Sequence, residues 1–247
     1  MGRRPYRETI ARDYHLASGC RMAYEVSEDF GLFELDTVTG EQGVTLVFVG
    51  SDDVVDWTYN VRLGMAWAAR FGGSMHGGFA HLWNSSAPSL MMHMRRAWPD
   101  PAVPLTIAGH SLGGALATIA AVEMRGTFPE ATIDLVTFGA PRIFDGRAVA
   151  SLGRRLAARH YVLGTDPIPH LPSWRPWRRY ATLPGRVWLR RPSGSLGGDG
   201  WPSFWHRIPV IKDHAVQRYE AALADLAGTA RVQSMTMPGP PLLLDDL

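Results

Sequence analysis

Cysteine and lysine are almost missing from this 247-residue sequence. Cys20 is the only cysteine. No disulfide can form within the chain, so the fold does not depend on an oxidising compartment. Lys212 is the only lysine, and arginine supplies the rest of the 25 basic side chains. Set against 23 acidic residues, they leave a formal net charge of +2. That balance says little about partners, and a general preference for arginine explains it without a binding site. No apolar run approaches the roughly 20 residues that cross a bilayer. The basic N-terminal stretch is not followed by the apolar segment of a secretory signal. On these grounds the expected location is the cytoplasm, or outside the cell by a route other than the general secretory one. Phosphate-loop and dinucleotide fingerprints are absent. His76 with His81, and His206 with His214, lack the further ligands of a metal centre. The expectation is therefore no cofactor, no metal and no nucleic-acid partner.

What is present reads as an ordinary globular composition, 46% hydrophobic, in a length that suits one large domain over 1–247. A hairpin is expected over 22–35. Residues 44–49 form a short apolar run of the kind that fills a strand buried on both faces. Helices follow over 56–70, stopped by Gly72-Gly73, and over 79–98, interrupted or restarted near Pro88. Strands at 105–108, 133–138, 160–163 and more weakly 187–189 alternate with helices at 112–125, 148–158 and 214–227. This alternation predicts an α/β layer fold with a mostly parallel central sheet flanked by helices. Residues 172–209 are dense in Pro, Gly, Trp and Arg and read as long loops with a hairpin. The tail over 236–247 reads as extended.

One short segment carries chemistry. Gly109-His110-Ser111-Leu112-Gly113 has the G-x-S-x-G spacing, follows an apolar strand and opens an alanine-rich helix. A serine on so sharp a turn needs neighbours without side chains, which the two glycines supply. The helix after it points its N-terminus at the hydroxyl and favours developing negative charge there. A capping serine in a tight turn is the plainer alternative.

A serine hydroxyl needs a base to become nucleophilic, and the base needs an orienting carboxylate. In the chain order that accompanies this turn, both follow the serine, acid before base. Asp166 closes an apolar run in a Gly164-Thr165-Asp166-Pro167 turn, at a strand's end. Asp134, at a strand's start, and Asp145, which reads as a helix N-cap, are weaker candidates. His214, opening the last helix, is the preferred base. His206 is the alternative, ahead of His160 and His170, and a structural histidine is the plainer reading of either.

These blocks together resemble the fungal-type triglyceride lipases, also called class 3 lipases, of the α/β-hydrolase superfamily. The resemblance runs from about residue 44 to 219. It rests on Val47-Phe48-Val49-Gly50-Ser51 with Asp56-Trp57, and on His76-Gly77-Gly78-Phe79. It continues through the serine turn to Ala117 and through Val136-Thr137-Phe138-Gly139-Ala140-Pro141-Arg142. Asp166-Pro167-Ile168-Pro169-His170-Leu171-Pro172 and Asp213-His214 with Tyr219 complete it. Val49 stands where many members carry arginine. The resemblance implies a lipase or esterase acting through an acyl-enzyme, with Ser111 as nucleophile, Asp166 as acid and His214 as base. It further implies an oxyanion hole from Ser51 and the Leu112 N–H, and an ester or lipid substrate at a lipid–water interface. Phospholipase A1 activity falls within the same class. A protein that keeps the fold but only binds membranes or lipids is the alternative outside it.

The resemblance also implies a lid after the first apolar strand, over 52–71, with Trp57, Leu63 and Met65 facing substrate. The same apolar stripe reads equally as a core helix, and from Trp67 onward the core reading is preferred. The cations and indoles over 174–191, with Trp201, Phe204 and Trp205, suit anionic head groups or a nucleic-acid surface. A loop packed on its own aromatics is the preferred reading there.

Overall fold

Short apolar segments pair side by side and bury both of their faces. In the computed structural model, which describes residues 3–26, 33–36, 43–50, 64–152, 156–172, 180–191 and 212–228, they form a six-stranded sheet. Its strands are β1 (Phe33–Asp36), β2 (Val44–Phe48), β5 (Leu105–His110), β6 (Ile133–Phe138), β7 (Ala157–Leu163) and β8 (Arg186–Leu189), side by side in that order. β1 runs antiparallel to β2, and the other five strands are parallel. Val44 lies opposite Leu105, and Leu105 opposite Ile133. A separate antiparallel pair joins β3 (Met65–Ala68) to β4 (Gly73–His76).

Side chains alternate across the sheet, as a period of two requires. Leu46, Phe48, Ile107 and Leu135 enter a core shared with helices α2 (Gly77–Ala97), α3 (Leu112–Thr127) and α4 (Gly146–Leu152). Val47, Val136, Phe138 and Tyr161 enter a second core under α1 (Arg3–Val26) and α5 (Val216–Ala227). A parallel sheet covered on both faces in this way needs near-continuous apolar strands. No described helix is long and apolar enough to cross a membrane.

Several boundaries differ from expectation. The hairpin expected over 22–35 is overturned for its described part: α1 continues to Val26, and β1 pairs with β2 instead. In α1, Ile10, Asp13, Leu16, Ala17, Cys20 and Ala23 are buried at helical spacing. Asp13, fully buried, accepts hydrogen bonds from Arg159 Nε (2.6 Å), Arg159 Nη2 (2.8 Å) and the Tyr161 hydroxyl (2.7 Å), which ties the helix to β7. The helix over 56–70 is overturned for its described part. Met65–Ala68 is a strand because it pairs with β4, and Gly72, at φ +69°, makes the turn between them. Trp67, assigned to the core, is 65% exposed, whereas Phe71 is buried.

Pro88 does not break α2. Pro88 and Asn84, whose carbonyl loses its N–H partner, are both exposed, so water can satisfy the freed oxygen. The helix expected over 148–158 ends at Leu152, since Ala157 and Ala158 pair with Asp134 and Leu135 in the sheet. The last helix starts at Val216, and Lys212–His214 forms a 3-10 turn ahead of it. Within 172–209, the described Arg186–Leu189 forms a parallel edge strand on β7, at the weak strand expected over 187–189, and 173–179 and 192–209 lie outside the described residues.

Candidate active site

The turn between β5 and α3 is the one place among the described residues where a side-chain-bearing residue takes a positive φ. Ser111 sits at φ 53°, ψ −122°. Such a conformation costs of order 1–3 kcal/mol and persists only where the surroundings enforce it. Its N–H donates to Phe138 O at 3.0 Å and its carbonyl accepts from Ala115 N at 3.2 Å. The flanking glycines are sterically required. A Cβ on Gly109 would lie 2.3 Å from Gly113 O, and one on Gly113 would lie 2.3 Å from Phe48 O. The end of β2 thus presses against the first turn of α3. The Leu112 N–H, first in that helix, has no acceptor within it.

Two further elements bring polar groups to this turn. Asp166 follows β7 and His214 precedes α5; both are buried, as is Ser111. His214 Nε2 lies 2.8 Å from Ser111 Oγ, and His214 Nδ1 lies 2.8 Å from Asp166 Oδ2. Burial alone would raise the Asp166 carboxyl. The adjacent imidazole, with hydrogen bonds from His214, Tyr219 and the Ile168 N–H, outweighs burial and holds it below the usual carboxylate range. An ionised Asp166 accepts a hydrogen bond from Nδ1–H, which leaves Nε2 free to accept from the serine hydroxyl.

Three residues hold this arrangement. The Tyr219 hydroxyl donates to Asp166 Oδ2 at 2.6 Å and accepts from Leu163 N at 3.1 Å. Burial and the neighbouring Asp166 charge raise the Tyr219 phenol well above its ordinary value, so it stays a donor. Asp213 accepts from the Thr165 N–H (2.8 Å) and hydroxyl (3.0 Å), from Arg191 Nε (2.8 Å) and from Arg218 Nη1 (3.0 Å). It therefore clamps the segment before His214 to the turn before Asp166. Burial acts to raise the Asp213 carboxyl, and the bonds from Arg191 and Thr165 lower it overall. His110 lies with its ring 4.7 Å from the His214 ring. Its Nε2 is 2.7 Å from His214 O, and its Nδ1 is 2.9 Å from the Tyr24 hydroxyl. Burial, and then electrostatic repulsion between the two neighbouring imidazoles, push His110 down to about 3. It is neutral, Nε2–H donates to the carbonyl, and Nδ1 accepts from Tyr24.

The structure thus brings together Ser111, Asp166 and His214, and places the Leu112 N–H beside them. Ser51, Trp57, Leu63 and His206 lie outside the described residues. Met65 is half-buried in β3, opposite His76. Asp134 instead pairs with Arg159, and Asp145 caps α4 through the Ala148 N–H. His160 bonds Thr137 at 2.8 Å, away from the serine. No role for Tyr24, His110 or Asp213 was visible in the sequence. Their partners lie far along the chain, and only the polar character of His110 and Asp213, inside two recognisable motifs, could have pointed to them.

A mostly parallel sheet between two helical layers, with a strained serine at the end of a central strand, is an α/β-hydrolase architecture. The same fold occurs in a mutant form of MDLA from Penicillium cyclopium, with a TM-score of 0.64 over 90% of this chain and 98% of that one, at 18% identity. Residues 45–175, more than half of the sequence, match the lipase (class 3) family, and the chain belongs to that family. It is 33% identical over 127 residues to secreted mono- and diacylglycerol lipase 1 of Fusarium solani, covering 50% of this chain and 37% of the relative. It is 31% identical over 123 residues to the chloroplastic phospholipase A(1) DAD1 of Arabidopsis thaliana, covering 42% of this chain and 28% of that one. The chain therefore spans well under half the length of these two relatives.

Proposed function

We propose that this chain is a serine carboxylic-ester hydrolase acting on acylglycerol-type esters through an acyl-enzyme. The observation that carries the reading is the unbroken path from Ser111 Oγ through His214 to Asp166, each contact 2.8 Å. His214 Nε2 takes the hydroxyl proton as Ser111 Oγ bonds to the ester carbonyl carbon. The tetrahedral intermediate collapses with loss of the alcohol, which takes the proton back from His214. Water, deprotonated by the same nitrogen, then attacks the acyl-enzyme and releases the carboxylic acid. Asp166 keeps the ring in the required tautomer and stabilises the imidazolium. The Leu112 N–H and Ser51 hold the oxyanion; such donors are worth about 3–4 kcal/mol each in the transition state. The exposure of Trp67 (65%) and Trp188 (57%) supports a lipid–water interface as the place of action.

Hydrolysis of p-nitrophenyl esters of several acyl lengths tests this reading. Turnover is expected to vanish with Ser111→Ala. Activity that survives this substitution, or vesicle binding with no turnover of any ester, favours a protein that only binds lipid.

A further inference from the structure

Beside the proposed catalytic groups, on the α3 side of the sheet, lies a narrow cleft lined by Thr118, Arg142, His160, Pro169, Thr182 and Arg186. None of Ser111, Asp166 or His214 lines it. It is unusual in its charge. Arg21, Arg159 and Arg218 are half-buried, and each faces a carboxylate within 3.0 Å. Arg142 and Arg186 are half-buried too, yet among the described residues neither has an acidic partner. Arg142 Nη1 reaches Pro172 O only at 3.5 Å. Arg186 Nη2 donates to Pro169 O at 3.1 Å and to Thr182 Oγ1 at 3.3 Å, and its guanidinium lies over the Trp188 ring, 5.6 Å from the centroid. Between Asp166 and Asp199 the chain carries six arginines and no acidic residue.

Among the described residues, two buried nitrogens on the lining residues, Arg142 Nε and His160 Nε2, have no hydrogen-bond partner. The fully buried Thr137 hydroxyl lies 2.8 Å from His160 Nδ1. It is best satisfied as the donor, which puts the ring proton on Nε2. Burial and the Arg186 charge push His160 down to about 4, so the ring is neutral and its one N–H is spare. Burial lowers Arg142, and burial with the Arg142 charge lowers Arg186, as expected of cations lacking a counter-charge. Partly desolvated guanidinium groups without a counter-charge are costly unless an anion completes them.

We propose that this cleft binds a small oxyanion of the phosphate class, held by Arg142, Arg186 and the His160 Nε2–H. Donors arriving from three separate elements suit tetrahedrally disposed oxygens better than the two coplanar oxygens of a carboxylate. The anion comes as free phosphate or as a phosphodiester head group.

Calorimetric titration of the full chain with inorganic phosphate, and separately with glycerophosphocholine, tests this without any turnover, so the result stands whether or not Ser111 is a nucleophile. Saturable binding of at least one of them is expected, weakened tenfold or more by Arg186→Gln and by His160→Gln, with melting temperature and circular dichroism confirming that both variants fold. Glycerophosphocholine binding that phosphate does not displace identifies a head-group site, and the reverse identifies free phosphate. Binding of neither, or binding unchanged in both folded variants, overturns the proposal.

Discussion

His110 Nε2 lies 2.7 Å from the main-chain oxygen of His214, so the residue before the serine holds the backbone of the residue that would activate it. Tyr24, from α1, completes the chain by bonding His110 Nδ1 at 2.9 Å. His110→Ala leaves a buried carbonyl unpartnered, at a cost of about 1–3 kcal/mol. The expected outcome is a lower melting temperature together with a fall in kcat for ester hydrolysis and little change in KM. Unchanged kcat in a folded His110→Ala protein removes the positioning role.

The buried histidines set a pH dependence of stability. His110 titrates at about 3 and His160 at about 4 in the folded chain, against about 6.5 when exposed. Both values are depressed, so their contribution is complete above about pH 6.5 and is lost as pH falls toward those folded values. Between pH 6.5 and 4 the unfolded chain binds more protons, and stability falls as acid is added. Each histidine contributes up to about 1.4 kcal/mol per pH unit there. Denaturant unfolding at several pH values is expected to show a shallower slope for His160→Gln than for the parent chain.

Asp213 joins the two segments that carry Asp166 and His214. Asp213→Ala strips two part-buried bonds from Thr165 and leaves Arg191 and Arg218 without their carboxylate. The loss is smaller on the Arg191 side, where the half-exposed guanidinium can turn to water. The expected result is a destabilised protein whose remaining folded fraction hydrolyses esters more slowly, with Asp213→Asn intermediate. Stability and rate are read by thermal melting and by initial velocities.

Gly113 has no room for a methyl group. A Cβ there would meet Phe48 O at 2.3 Å and the Val49 carbonyl carbon at 2.8 Å, both backbone atoms that cannot swing aside. Gly113→Ala is expected to push β2 away from α3, with a loss of about 1–3 kcal/mol and of ester hydrolysis. Gly126→Ala, in the same helix with nothing near its Cβ position, is expected to be neutral or slightly stabilising.

What the sequence made legible was local. Gly109 and Gly113 flank Ser111 at a spacing that means one thing sterically, and the apolar runs of β2, β5 and β6 mean strands buried on both faces. Chain order narrowed the acid and the base, and turn context with the family resemblance favoured Asp166 and His214, but four histidines follow the serine and their distances to it are set by tertiary structure. Helix α1 escaped notice because its buried face is made of Ala17, Cys20, Ala23 and the charged Asp13, with few large side chains to reveal a period. Asp13 is tolerable there only because Arg159 and Tyr161 arrive from β7, over a hundred residues away. Met65–Ala68 looked helical as part of a longer apolar stripe; pairing with β4 decided otherwise. The His110–His214 contact joins two motifs that were each recognised separately.

Labelling with a fluorophosphonate, followed by mapping of the modified residue, bears most directly on the claim that Ser111 is made nucleophilic by His214. A single adduct on Ser111 is expected, lost or slowed by orders of magnitude in a folded His214→Ala protein. An adduct on another residue, or labelling of Ser111 at the same rate without His214, contradicts it.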